Sequence, residues 1–279
     1  MAGEFLLMGV VNVTPDSFSD GGRFLEPSAA VAHGVRLAQE GAAILDIGGE
    51  STRPGAEPVG AEQELRRVIP VVEGLASADT GSQLSIDTSK AAVARAALDA
   101  GASYVNDVTA FRADPAISGL VAERDAECCL MHMLGEPRTM QEDPRYDDVV
   151  SDVKAFLEQR LAFAVAEGVS EERVTLDPGI GFGKTLDQNL ELLRRLEEIV
   201  AIGRPVMVGT SRKSFLGKLT GREVDQRLAG TIATNVLAYA RGASVFRVHD
   251  VAPVRDALTV AAATVATPWT TSPTATTRS

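Results

Sequence analysis

The chain has 279 residues, 45% of them apolar, and a formal net charge of −11 at pH 7. That length and composition can bury a sizeable core, and the acidic balance argues against nucleic acid or an anionic membrane as the main partner. No apolar run approaches the ~20 residues of a membrane span, and the N-terminus has no basic region followed by an apolar core, so a cytoplasmic protein is expected. A small anionic substrate stays open, because a few cations converging in one cleft outweigh surface charges screened within ~10 Å.

The first apolar segment, Phe5 to Val11, reads as a buried strand and runs into a polar loop from Asn12 to Gly22. Pro27 to Glu40 has helical spacing and stops at Gly41. A strand from Ala43 to Ile47 leads to a second loop, Gly48 to Gly55, then a helix from Ala61 to Ala76. Leu84 to Ile86 is a strand ending at Asp87, with Thr88 or Ser89 expected to cap the helix that runs to Ala100. Ser103 to Val105 ends at Asn106-Asp107, Pro115 to Asp125 looks helical, and Glu127 to Met131 is a strand ending at His132. Its adjacent cysteines, Cys128 and Cys129, should point to opposite faces as two small buried residues, with no disulfide or zinc framework.

A third irregular segment, Leu134 to Tyr146, precedes a long helix with Val153, Leu157, Leu161 and Val165 on one face. The strand Arg173 to Leu176 ends at Asp177, and Leu186, Leu190, Leu193 and Val200 mark a further helix. Pro205 to Val208 is a strand ending in Gly209 to Ser214, which opens a short helix; a longer helix follows from Asp225 to Tyr239. Ser244 to Val248 ends at His249, a last helix covers Pro253 to Thr264, and the Thr/Ser/Pro-rich residues 267–279 are expected to be disordered. Eight strand-then-helix units within residues 3–266 fit a single-domain (β/α)₈ TIM barrel, with a doubly wound open sheet as the competitor. The barrel is favoured because nearly every strand ends in a polar residue.

In a barrel those ends ring one mouth. The candidates are Asn12, Asp46, Asp87, Asn106, His132, Asp177, Lys213, Arg247 and His249. Each has a plainer reading: Asp87 as a cap, Asn106-Asp107 as a turn, His132 as a satisfied core histidine, Asp46 as a brace for the second loop. As a set, Asp87, Asn106 and Asp177 suit a flat, nitrogen-rich heterocycle, since a carboxylate can accept two hydrogens from an aminopyrimidine edge. Val108, Met131 and Phe182 could form apolar walls or ordinary core. Lys213, Arg247 and His249 form a cationic group suited to phosphate or carboxylate, and the Gly209–Ser214 segment offers backbone N–H groups to an anion. Lys213 as a Schiff-base lysine is the less favoured alternative. Asn12 with Asp20 could share a loosely held Mg²⁺ carried by a phosphate.

With these residues in view the chain resembles the dihydropteroate synthases, the pterin-binding enzymes of the folate pathway, from about Leu7 to Val251. The resemblance is carried by Asn-Val-Thr-Pro-Asp-Ser-Phe-Ser-Asp-Gly-Gly from Asn12 and Gly-Gly-Glu-Ser-Thr-Arg-Pro-Gly from Gly48. Ser-Ile-Asp-Thr from Ser85, Asn-Asp-Val from Asn106 and Asp-Pro-Gly-Ile-Gly-Phe-Gly-Lys from Asp177 follow, then Gly-Thr-Ser-Arg-Lys-Ser from Gly209 and Arg-Val-His-Asp from Arg247. It implies that Asp87, Asn106, Met131, Asp177 and Lys213 hold the pterin. It implies likewise that Asn12, Thr52, Arg247 and His249 hold the pyrophosphate, with Mg²⁺ as cofactor on Asn12. Thr52, Arg53, Pro54, Phe182 and Ser214 would shape a p-aminobenzoate site, with Asp20, Arg53, Asp177 and Lys213 the catalytic residues. The implied reaction condenses dihydropterin pyrophosphate with p-aminobenzoate to dihydropteroate by a dissociative displacement, and the family's habit implies a homodimer. Pterin-dependent methyltransferases and a non-catalytic pterin-binding paralogue are the alternatives. The first-loop and Ser-Arg-Lys features disfavour the former, and the presence of Asn12, Asp20, Arg53 and Lys213 disfavours the latter.

Overall fold

Alternation along short strands builds this molecule. The structure, a computed structural model, describes residues 5–14, 27–52, 55–136 and 138–266; Asp20, Arg53, Pro54 and the 267–279 tail lie outside the described residues. Its strands are β1 (Leu6–Asn12), β2 (Ile44–Gly48), β3 (Gln83–Asp87), β4 (Tyr104–Asp107), β5 (Glu127–Met131), β6 (Val174–Asp177), β7 (Met207–Val208) and β8 (Val245–Val248). All paired neighbours are parallel, in the order β6-β5-β4-β3-β2-β1-β8-β7. The ends of that row meet at one parallel bridge, Leu176 to Val206, where the Leu176 N–H donates to the Pro205 carbonyl at 2.9 Å. The sheet is therefore a (β/α)₈ barrel, and the open-sheet alternative is set aside.

Period-2 alternation sorts the strand residues into two clusters. Met8, Ile44, Tyr104, Cys129, Met207 and Val245 fill the barrel interior. Their strand neighbours Leu7, Leu45, Val105, Cys128, Val208 and Phe246 face the surrounding helices in the main core. The two cysteines do point to opposite faces, and burial pushes both thiols up. Each fully buried aliphatic side chain contributes ~1.5 to 3 kcal/mol, so a one-residue slip in any strand would be strongly opposed.

The helices are α1 (Pro27–Gln39), α2 (Ala61–Ala78), α3 (Ala91–Asp99), α4 (Ala116–Glu123), α5 (Val149–Ala166), α6 (Leu186–Arg194), α7 (Leu196–Val200), α8 (Ser214–Thr220), α9 (Leu228–Ala240) and α10 (Val251–Ala266). Four details of the helices depart from the sequence expectations. Neither Thr88 nor Ser89 caps α3; the carboxylate of Asp114 accepts from the Ala91 N–H at 2.8 Å and serves instead. The expected single helix from Leu186 to Val200 is two, broken at Arg195 (φ −109°, ψ 27°), whose guanidinium pairs with both oxygens of Asp148 at 3.0 and 3.1 Å. One apolar stripe cannot distinguish one helix from two that share a face. The last turn of α5 buries Ala164 rather than Val165, because the 3.6-residue period advances three positions there. Before α9, residues Val224–Gln226 form a 3₁₀ turn and the helix starts at Leu228. Among the described residues no helix is long and apolar enough to cross a membrane.

Candidate active site

The same alternation that fills the interior lifts polar side chains into the mouth. Two or four residues beyond the interior layer stand Asn12 on β1, Asp46 on β2, Asn106 on β4, Met131 on β5 and Arg247 on β8. The parallel register sets Asn12 against Gly48, Gly48 against Asp87, Asp87 against Asn106, and Met131 against Asp177. Residues remote in the chain thus share one rim.

At its base lies Asp46, fully buried. One carboxylate oxygen accepts from Ser85 Oγ at 2.6 Å; the other accepts from Asn106 Nδ2 at 3.0 Å and Arg247 Nε at 2.7 Å. Arg247 Nη2 donates in turn to Asp87 at 2.8 Å. Asp46 was a possible brace for the second loop, but its bonds run across the barrel to β3, β4 and β8 instead. Burial pushes Asp87 up to about 7 despite the Arg247 charge, with Asp46, Glu64 and Asp107 adding to the rise. Burial works against the Arg247 cation, yet the charges of Asp46 and Asp87 prevail and hold it above the usual arginine range.

Opposite stands the loop that follows β6. Asp177 accepts from the Gly179 N–H at 2.7 Å, and burial raises its pKa against the pull of Lys213. Gly179 has φ +66°, and a Cβ there would lie 1.8 Å from the His132 carbonyl oxygen, so only glycine lets β5 and this loop close together. Lys213 donates to the Ile180 carbonyl and lies 4.6 Å from the centre of the Phe182 ring, a cation–π contact. Burial lowers it to about 8 against Asp177. These contacts give the Lys213 ammonium one acceptor and one ring face. Phe182 packs on Val108, Met131, Met133 and Met140, forming an apolar wall.

Lys184, quoted only as the end of a motif, proves to be a buried fastener. Its ammonium meets His132 Nδ1, the Gly179 carbonyl and the Phe182 carbonyl, each at 2.9 Å. Burial pushes Lys184 down, but three acceptors match the three N–H bonds of an ammonium, and Nδ1 can accept only from a neutral His132. Burial and then the Lys184 charge hold that imidazole down at about 2. His132 is thus the satisfied core histidine, edge-on to Phe156 with ring centroids 4.8 Å apart. The third segment seals the outside of this loop: Tyr146 Oη donates to the Gly183 carbonyl and Gln141 Nε2 to the Gly181 carbonyl, both at 2.7 Å.

The remaining loops are fixed by ion pairs. Lys90 bridges Glu50 at 2.7 Å and the fully buried Glu64 at 2.5 Å, while Glu50 accepts from the Val59 N–H at 2.7 Å. These hold the second loop, where Thr52 is half-buried. Arg212 (φ +58°) pairs with Asp250 at 2.5 and 2.9 Å, and Ser211 Oγ lies 3.0 Å from His249 Nδ1. The loop after β7 is thereby joined to the end of β8, bringing Lys213, the exposed Ser214 at the start of α8, Arg247 and His249 to one side. Asp107, next to Asn106, is turn chemistry, accepting from the N–H groups of Thr109 and Phe111 at 2.8 Å each. Among the described residues no cluster of His, Cys, Asp or Glu could hold a metal ion by itself. The single amide of Asn12 fits a hard cation that keeps its waters and arrives on phosphate oxygens, as Mg²⁺ does.

Fold and mouth together define the class: a single-domain β/α-barrel enzyme for a small polar substrate. A family model described as pterin binding enzyme matches residues 8–249. The dihydropteroate synthase of Mycobacterium leprae is 48% identical over 264 residues, 92% of each chain. Xanthomonas albilineans dihydropteroate synthase, determined with 4-aminobenzoic acid, is 51% identical with a TM-score of 0.89, covering 96% of this chain and 95% of that one. The same enzyme in complex with 7,8-dihydropteroate aligns at 48% identity and a TM-score of 0.86, covering 96% of each. The chain belongs to the pterin-binding enzymes and, among them, to the dihydropteroate synthase family of transferases.

Proposed function

We propose that the chain condenses 6-hydroxymethyl-7,8-dihydropterin pyrophosphate with p-aminobenzoate, giving 7,8-dihydropteroate and pyrophosphate. The observation that carries this reading is the joining of Asp46, Asn106, Asp87 and Arg247 in one mouth, facing Asp177 and Lys213 across a wall of Met131 and Phe182. The carboxylates of Asp87 and Asp177 and the amide oxygen of Asn106 take the N–H edges of the pterin, and Lys213 meets its acceptors. Arg247 and His249 hold the pyrophosphate with Asn12 and Thr52. Bound with the substrate at Asn12, Mg²⁺ would add positive charge beside the leaving oxygens. Ser214, Thr52, Phe182, Arg53 and Pro54 shape the p-aminobenzoate site, and Asp20 closes over it.

The displacement is dissociative. The bond from the pterin methylene carbon to the pyrophosphate oxygen breaks, the electron pair leaves with pyrophosphate, and positive charge spreads over the pterin. Asp87 and Asp177 stabilise that charge, and Arg247 and His249 the departing anion. The arylamine nitrogen then bonds to carbon and its proton passes to solvent or pyrophosphate, so no strong base is needed. The enzyme acts as a homodimer. Leu237 and Val260, 52% and 67% exposed on the packed pair α9 and α10, support that face as the contact.

The test follows pyrophosphate and dihydropteroate together, with and without p-aminobenzoate. Stoichiometric formation of both is expected, with slow pyrophosphate release and no dihydropteroate when p-aminobenzoate is omitted. Pterin binding without pyrophosphate release in either condition would overturn the reading. Lys213→Ala and Asp177→Ala should abolish pterin binding, and Arg53→Ala should mainly impair p-aminobenzoate use; near-wild-type turnover in Lys213→Ala removes that residue's role.

A further inference from the structure

We propose that Asp46, which touches no substrate, is the positioning residue that orients Asn106 and Arg247 and so sets the charge state of the mouth. The inference rests on the function proposed above. Its three donors come from three different strands: Ser85 of β3, Asn106 of β4 and Arg247 of β8. No other described carboxylate ties together so much of the barrel beneath the mouth.

Two consequences follow from elementary chemistry. An ionised carboxylate can only accept, so Asn106 must turn its NH₂ group down to Asp46 at 3.0 Å. Its carbonyl oxygen is then the group presented to a ligand, which makes Asn106 an acceptor for a heterocycle N–H. The second consequence concerns Arg247. Because Asp46 takes Nε from below, Asp87 engages only one N–H, through Oδ2 at 2.8 Å. Among the described residues neither Asp87 Oδ1 nor Arg247 Nη1 has a hydrogen-bond partner, which leaves the first to the pterin and the second to an incoming anion. Without the Asp46 charge, the guanidinium would turn to grip Asp87 with two parallel N–H bonds, the favoured arginine–carboxylate geometry. One substitution would then cost both substrate halves their partners.

The Asp46 charge also bears on the titration of Asp87. Asp87 is faced by Arg247 of β8, Asp46 of β2, Asp107 of β4 and Glu64 of α2. Among these acids only Asp46 shares its guanidinium. Removing that negative charge lessens repulsion and frees Arg247 to hold Asp87 more firmly, so Asp87 should ionise at lower pH.

The experiment compares wild type, Asp46→Asn and Ser85→Ala by kcat/KM for the pterin diphosphate, KM for p-aminobenzoate, and the acid limb of the pH profile. Asp46→Asn keeps the volume and loses the charge. Its expected effect is a fall of about 10²- to 10³-fold in pterin kcat/KM, with KM for p-aminobenzoate nearly unchanged and the acid limb displaced to lower pH. A role in folding alone would not move that limb. Ser85→Ala removes only the hydroxyl on Oδ1 and keeps the charge; it should lower pterin kcat/KM about five- to tenfold and leave the limb in place. If Asp46→Asn does not fold, Ser85→Ala decides: activity equal to wild type overturns the proposal. A folded Asp46→Asn with wild-type pterin kcat/KM, or with an unmoved acid limb, overturns it as well. Wild type that makes no dihydropteroate would instead defeat the underlying reading.

Discussion

Asp87 and Lys213 are pushed toward neutrality from opposite directions by the same burial, to about 7 and about 8 respectively. Pterin recognition as proposed needs Asp87 ionised and Lys213 charged, so kcat/KM for the pterin diphosphate should be bell-shaped. Measured from about pH 5 to about pH 10, its acid limb is expected near 7 and its basic limb near 8; a flat profile would contradict the pairing. Linkage gives a second reading of Asp87. Its folded pKa lies above the ordinary 3.8, so its stabilising contribution is full below about 4 and is lost as pH rises through about 7. Asp87→Asn should therefore melt together with wild type at about pH 4 and above it at about pH 8, a comparison made by thermal denaturation of the free protein. At this scale the sequence was informative about Asp87, Asn106 and Asp177, because a polar residue closing an apolar strand stands out. It was silent on Lys184, whose role depends on three acceptors brought together by β5 and a folded loop.

Among the elements, the loops are tied down by few contacts, and these predict distinct failures. Lys90→Met would leave Glu64, fully buried in α2, without its cation. Stranding a buried charge costs ~3 to 5 kcal/mol, and denaturant unfolding should show a loss of that order, largely recovered in Lys90→Met/Glu64→Gln. No recovery in the double variant would mean that Lys90 acts through packing. Gly179→Ala fails differently. With φ +66° and the His132 carbonyl 1.8 Å from a would-be Cβ, the loop must move away from β5, taking Asp177 and Phe182 with it. Calorimetry should find no pterin binding, while the circular dichroism of the barrel is retained. The elements themselves were largely legible, through apolar runs and helical stripes. Their ends were less so: Asp114 caps α3 from a distant loop, and Arg195 breaks a helix while reaching Asp148, 47 positions away in sequence. Local pattern cannot register partners that only the fold brings near.

Across the whole molecule the barrel has a seam. Every other strand neighbour shares a ladder of at least two residue pairs, whereas β6 meets β7 only through Leu176 and Val206. Pro205, without an N–H, cannot donate there, and β7 is accordingly just Met207–Val208 rather than the longer strand expected from Pro205. Amide exchange should expose the seam: the Leu176 N–H is expected to exchange faster than those of Leu45 and Ile47 in β2, which has neighbours on both sides. Equal protection would mean that the barrel opens only as a unit. The eightfold repeat was readable from sequence, but closure was not, since one bridge leaves no compositional trace. Nor could the sequence reveal that Arg247 bonds Asp46 across 201 positions.

The seam also carries a meaning for how this chain could be rewired. Read from β7, the spatial order β7-β8-β1-β2-β3-β4-β5-β6 is unbroken, and Leu6 already bonds to Ser244 across β1 and β8 at 2.8 Å. A circular permutant opened in the exposed turn around Ala201 and Gly203, with the original ends linked, would keep every ladder and place its new termini where the wall is thinnest. Opening the chain between β3 and β4 would instead put the break beside a full ladder and beneath Asp87 and Asn106. The permutability of this barrel is thus set by a single proline-flanked bridge on the side away from that ladder.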